Sequence, residues 1–217
     1  MCLTFVMLKA NAAPDEWQLI LINNRDEDFN RPTEKAHWDG HILCRTNGGT
    51  WLGISRRGRI GVLMNIMEPT CSAKTKFSRG NLVKEYLQSA CDPLCYLQEV
   101  IIPDAQKYSG FSNRGIESFF TGVYGYGNSV PDLPFLKVKR GLQRFENILQ
   151  SQGAHYEIAV QKRLSRCFYD LLPHQEYGTR THSIILIDGS GRVLFVEENR
   201  CALGESWTRE KFAFELC

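Results

Sequence analysis

Residues 2 to 27 constrain this chain more than any other stretch. The run Cys2-Leu3-Thr4-Phe5-Val6-Met7-Leu8 is apolar and β-prone, Asn11-Ala12-Ala13-Pro14-Asp15-Glu16 is turn chemistry, and Trp17-Gln18-Leu19-Ile20-Leu21-Ile22 is a second β-prone run. Two such runs around a Pro-Asp turn predict a hairpin or a pair of neighbouring strands. That pairing brings the start of the first strand beside the end of the second, where the apolar pattern gives way to Asn23-Asn24-Arg25-Asp26-Glu27. Cys2 is therefore expected near Arg25 and Asp26.

A cysteine at position two has a particular chemical option, because the initiator methionine is commonly trimmed before a small residue. The freed α-amine, with a reference pKa of about 7.7 to 8.0, can serve as general base for a thiol whose own reference value is about 8.5. Arg25 would favour the thiolate, and Asp26 would hold the ammonium or orient a substrate. The plainer alternative is a small apolar residue opening a buried strand, followed by a solvated charged turn.

The rest of the chain narrows the function classes. At 217 residues, 43% hydrophobic and 23% charged, it is long enough for a sizeable core and ordinary for a globular protein. Lys and Arg number 26 against 24 Asp and Glu, so the formal charge of +2 offers no footprint for nucleic acid or a membrane surface, and no long basic block is present. No basic region precedes the first apolar run, which Lys9 and Asn11 break too early for a signal core or a membrane span; a soluble, cytoplasmic chain is expected. Eight scattered cysteines form no disulfide framework and read as free thiols in a reducing compartment. His37, His41 and Cys44 have metal-like spacing but lack a fourth ligand, and no bound metal is expected.

Further along, Gly48-Gly49-Thr50-Trp51-Leu52-Gly53-Ile54-Ser55 and Ile60 to Ile66 read as two strands around a glycine turn, with the amide of Asn65 at the end of the second as a candidate oxyanion donor. Ser78 starts an amphipathic helix with apolar positions 82, 83, 86 and 87, and Asp92-Pro93 is an N-cap followed by proline at the first helical position. Ile116 to Tyr124 reads as a strand or two, Gly127-Asn128-Ser129 as a loop that presents Asn128, and 141–150 and 155–172 as helices. Thr179 to Asp188, the turn Gly189-Ser190-Gly191-Arg192 and Val193 to Glu198 form a hairpin, and a last strand carries Phe212, Phe214 and Leu216. Strands from both chain ends with helices between them predict two helical layers around antiparallel sheet, in a single domain over 1–217.

Asn24-Arg25-Asp26-Glu27 followed by Arg31-Pro32, Gly48-Gly49-Thr50-Trp51-Leu52-Gly53-Ile54-Ser55, Arg79-Gly80, Gly178-Thr179-Arg180-Thr181 and Trp207-Thr208-Arg209 occur together in this order. The set resembles the transport and Golgi organisation protein 2 family, also called the NRDE family, nearly end to end. The resemblance implies kinship with N-terminal nucleophile hydrolases and hence an α+β four-layer αββα sandwich with mostly antiparallel sheets. It implies a site made of Cys2, Arg25, Asp26, Asn65, Asn128 and Arg180, with the two asparagines as oxyanion donors and the two arginines setting charge and substrate geometry.

Relatives are associated with intracellular haem trafficking, and with Golgi organisation and secretion. The resemblance thus implies haem as a transported ligand, haem-acceptor proteins as partners, and cytoplasm with mitochondrial or Golgi association as the location. The alternative is a working cysteine amidase or thioesterase on an acyl or amide compound. Ser109-Gly110-Phe111-Ser112 departs from the usual Asn-Gly-Phe-Asn strand, the region after Tyr108 is shortened, and the stretch from Pro131 to Lys137 lacks the usual tryptophan. These departures bear on ligand selectivity.

Overall fold

The computed structural model describes residues 2–45, 49–64, 79–104, 107, 121–129, 132–150, 177–200 and 206–217. Its elements are α+β with antiparallel sheets, in two compact units: residues 1–32 with 119–215, and 33–118 with 216–217. Asn65, the region of Ser109 to Ser112 and the expected 155–172 helix lie outside the described residues, as does Ser78.

The first unit is a six-stranded antiparallel sheet. Its strands are β1 (Leu3–Leu8), β2 (Trp17–Asp28), β7 (Gly122–Tyr126), β8 (Tyr177–Asp188), β9 (Arg192–Arg200) and β10 (Trp207–Glu215), in the order β10-β9-β8-β2-β1-β7. The expected first hairpin forms, with Leu3 opposite Asn24 and Leu8 opposite Leu19. Strand β2 does not stop at Ile22 but continues through the charged tetrad to Asp28. The tetrad is ladder rather than solvated turn: it pairs with β8, and Asn24 donates to Asp26 and Arg25 to Glu27 within it.

One sheet face is closed by helix α3 (Leu136–Gln150), which begins five residues before the apolar periodicity predicts. Leu3, Phe5, Ile20, Ile22, Ile184, Leu186, Leu194 and Val196 form a continuous core with Val138 and Phe145 of the helix. Burial of each large side chain is worth about 1.5–3 kcal/mol. Gly141 lets the helix sit on the Phe5 ring, since a Cβ there would overlap it. The β8–β9 turn is the expected one: Asp188 Oδ1 accepts from Ser190 N and Arg192 N, both at 3.0 Å, and Gly191 supplies a φ of 85°.

The second unit is a four-stranded antiparallel sheet of β3 (His37–Asp39), β4 (Ile42–Cys44), β5 (Leu52–Ser55) and β6 (Ile60–Val62), in that order. Helix α1 (Gly80–Gln88) packs on it through Val83 and Leu87, against Ile42 and Cys44. The Gly-Gly and Arg-Gly motifs meet here, because an ideal Cβ on Gly49 would lie 2.7 Å from Gly80 Cα and one on Gly80 2.8 Å from Gly49 Cα. Helix α2 (Pro93–Tyr96) is capped as expected, with Asp92 Oδ1 accepting from Leu94 N and Cys95 N at 3.0 Å each, and it runs on into a π-helical turn at Leu97–Ile101.

Candidate functional site

The site grows from an irregularity in the β2–β8 ladder. Arg25 pairs with Thr181, but Asp26 pairs with Thr179, so Arg180 drops out of register in a β-bulge. Beyond the bulge the Asp26 carboxylate is fixed from two sides: Asn24 Nδ2 and Thr179 Oγ1 each donate to its Oδ1 at 2.8 Å. Asn24 is wholly buried, and its own Oδ1 accepts no hydrogen bond among the described residues. It offers an acceptor beside Asp26.

Cys2 lies where the first hairpin carries it. Its thiol donates to Asp26 O at 3.8 Å, and Tyr177 Oη donates to the same carbonyl at 3.3 Å. Strand β7 flanks β1 with Thr4 opposite Tyr126, and the following loop runs alongside Cys2: an ideal Cβ on Gly127 would be 3.7 Å from Cys2 O and 2.6 Å from Val138 Cγ2. The next residue, Asn128, is 5% exposed. Gly127 thus allows a close approach of this loop to the backbone of Cys2 and to the first turn of α3.

The two arginines are committed within the protein. Arg25, 4% exposed, pairs through Nη2 with Glu27 Oε2 at 3.0 Å, and Arg31 Nη1 reaches the same oxygen at 2.8 Å. Arg180 Nη1 donates to Asp28 O at 3.0 Å and to Arg31 O, so it clasps the turn after β2. Across the sheet, Thr4 faces Asn23, which faces Ser183, which faces Glu197, and all four are buried. Asn23 Nδ2 donates to Thr4 Oγ1 at 2.8 Å, and Asn199 links Thr181 Oγ1 (3.0 Å) to Glu197 Oε1 (2.8 Å). This end of the sheet is a hydrogen-bonded polar lattice, with the buried Asn24 Oδ1 left over among the described residues.

Electrostatics follow from burial. Desolvation pushes the Cys2 thiol up, and the Asp26 carboxylate pushes it further, against the Asp26 carbonyl contact and Arg25. Burial also raises the Tyr177 hydroxyl, with the charges of Cys2, Asp26 and Glu27 adding to it. His182, 2% exposed and stacked on Trp207 at 4.9 Å, is pushed down to about 4 by burial, which outweighs the attraction of Asp26. Lys137, half-buried on α3, is lowered by burial while Asp26 opposes.

Of the residues expected from sequence, Cys2, Arg25, Asp26, Asn128 and Arg180 gather at one end of the first unit's sheet, with Arg25 and Arg180 turned to internal partners. Sequence reasoning missed Asn24, Tyr177, Thr179, His182 and Lys137. Asn24 and Thr179 sat inside motifs already singled out, and the signal was their spacing of two from Asp26 and from Thr181 along strands. Tyr177 carried no signal. The His37, His41 and Cys44 set is divided between β3, the following turn and β4; Cys44 lies under α1, where burial pushes its thiol up to about 11. Among the described residues no three metal-ligating side chains gather, the five described cysteines are free thiols, and no helix is long and apolar enough to cross a membrane.

Comparison with known proteins adds kinship to this geometry. Residues 1–113 and 150–201 match the profile of a family described as Transport and Golgi organisation 2. The Transport and Golgi organization protein 2 of Drosophila melanogaster is 30% identical, over 94% of this chain and 93% of its own length. The Mus musculus Transport and Golgi organization 2 homolog is 29% identical over 281 aligned positions, covering 100% of this chain and 99% of its own. The Homo sapiens homolog is 28% identical with the same coverage. Because 281 positions exceed the 217 residues here, the mouse relative carries segments with no counterpart in this chain.

Proposed function

Because the chain belongs to the Transport and Golgi organisation 2 family, we propose that it is a haem-handling carrier serving Golgi organisation and secretion. Its scaffold is inherited from N-terminal nucleophile hydrolases as a four-layer αββα sandwich, and its cysteine no longer acts as a nucleophile. The haem cargo rests on the resemblance carried by the sequence motifs. The scaffold is supported by an antiparallel sheet and a packed helix within each unit.

One observation carries the non-catalytic part. The Cys2 thiol is buried, raised in pKa and spends its proton on the Asp26 carbonyl, while the nearest guanidinium, Arg25, is bound to Glu27. A thiolate is the reactive form of cysteine, and this environment favours the thiol. A carrier must release what it holds, so an apolar seat with weak axial ligation suits it. The carrier reading is tested by titrating purified protein with haemin. A saturable Soret shift and transfer to an apo-haemoprotein are expected, and a flat Soret band overturns the reading.

A specific observation favours the hydrolase as second reading: Cys2 lies against the backbone carbonyl of Asp26, and the backbone just before Asn128 passes alongside Cys2, which suits an acyl-transfer site. Intact mass after incubation with a thiol-directed acylating probe separates the two. Stoichiometric acylation that Cys2→Ala abolishes, on protein lacking Met1, supports the hydrolase; absence of the adduct supports the carrier.

A further inference from the structure

Among the described residues of the first unit, the exposed large apolar side chains other than Tyr177 cluster at the start of α3: Leu133 is 75% exposed, Leu136 60% and Phe135 40%. The backbone there is anchored, with Phe135 N donating to Ser129 Oγ at 3.3 Å and Phe135 O accepting from Val138 N at 2.9 Å and Lys139 N at 3.2 Å. The opposite side of α3 is spent on the core through Val138, Gly141 and Phe145. What faces out in its first turns is therefore Leu136, Lys139, Arg140 and Arg144, with Lys137 half-buried beside them.

Charge identifies the partner. Between Leu133 and Phe145 there are four basic residues and no acidic one; Asp132 precedes the segment and Glu146 follows it. Lys137, Lys139 and Arg140 make no ion pair among the described residues. Exposed apolar tips and unneutralised cations within one helical turn call for a surface that is apolar and anionic at nearly the same depth. A phospholipid headgroup layer with acyl chains beneath it meets that description.

We propose that residues 133–140 dock the protein reversibly on anionic membranes, with Leu133, Phe135 and Leu136 entering the acyl boundary and Lys137, Lys139 and Arg140 at the phosphates. Gly127 packs between Val138 in the first turn of α3 and Cys2, so the docking segment adjoins the candidate site. A carrier of an apolar cargo gains from loading at a bilayer, but the docking itself does not depend on what the cargo is.

The test is sedimentation of the full chain with sucrose-loaded phosphatidylcholine vesicles, with and without phosphatidylserine, without added haem. Binding is expected only to the phosphatidylserine vesicles, and to fall about tenfold between low and physiological salt. The Leu133→Asp/Leu136→Asp and Lys139→Glu/Arg140→Glu double variants should each lose about tenfold or more in partitioning. Their thermal midpoints should stay at the wild-type value, because the substituted side chains are exposed. Failure to bind anionic vesicles, equal binding to neutral ones, or wild-type binding by both variants overturns the proposal; the last outcome would assign the patch to a protein partner. Since haem titration reads the cargo separately, the two proposals fail independently.

Discussion

His182 shows how much one side chain can hold in reserve. Burial between β2 and Trp207 keeps its ring neutral in the folded state with a pKa of about 4, whereas the unfolded chain protonates it near the ordinary 6.5. The folded value lies below the unfolded one, so protons favour unfolding. The contribution is complete above about pH 6.5 and is lost as pH falls toward 4, where about 3 kcal/mol has gone. Urea unfolding at about pH 7 and about pH 4.5 should therefore show a smaller loss for His182→Gln than for wild type. Equal losses would mean that the ring is not kept neutral. At Cys2 the same reasoning isolates one neighbour: the Asp26 carboxylate raises the thiol. Asp26→Asn should shift the alkylation curve of Cys2, followed by peptide mass spectrometry, to lower pH. An unmoved curve would mean that the Asp26 charge does not act on the thiol.

At the scale of elements, backbone fit competes with intrinsic propensity. Gly80 opens α1, and alanine there would ordinarily gain about 1 kcal/mol of helix propensity. Its Cβ would instead meet Gly49 Cα at 2.8 Å and Thr50 N at 2.9 Å, both backbone atoms that cannot swing aside. Gly80→Ala is expected to destabilise by about 1–3 kcal/mol in chemical denaturation, and a stabilised variant would refute the close crossing. This contact explains why some of the fold was legible and some was not. The Asp92-Pro93 cap, the first hairpin and the Asp188 turn are local chemistry, readable from adjacent residues. The continuation of β2 through Asn23 to Asp28 was not, because six polar residues carry no apolar alternation. Their fitness for a buried strand depends on Thr4, Thr179 and Glu197-linked partners far away in sequence. Arg180 was singled out from its motif but not as a clasp on the Asp28 and Arg31 carbonyls, since a bulge leaves no trace in the pattern of its own strand.

At the scale of the whole molecule, the second unit is inserted between β2 and β7 of the first, and the chain returns to it only for its last two residues. Strand β10 ends at Glu215; Cys217 N then donates to Arg56 O at 2.9 Å, and Leu216 lies against Gly58, 3.2 Å from an ideal Cβ there. Gly58 is at a φ of 76° in the β5–β6 turn, a turn held besides by Gly58 N donating to Ser55 O and Arg56 N to His41 O. The C-terminal dipeptide thus closes a small sheet whose strands are only three or four residues long, and such short ladders have little to spare. One backbone hydrogen bond and a half-buried leucine together are worth about 1–2 kcal/mol. Deleting Leu216 and Cys217 should lower the stability of the second unit by that amount and speed amide exchange in β5 and β6, while exchange in β2 and β8, which belong to the other unit, stays slow. Uniform acceleration across both sheets would instead mean that the two units unfold as one cooperative body.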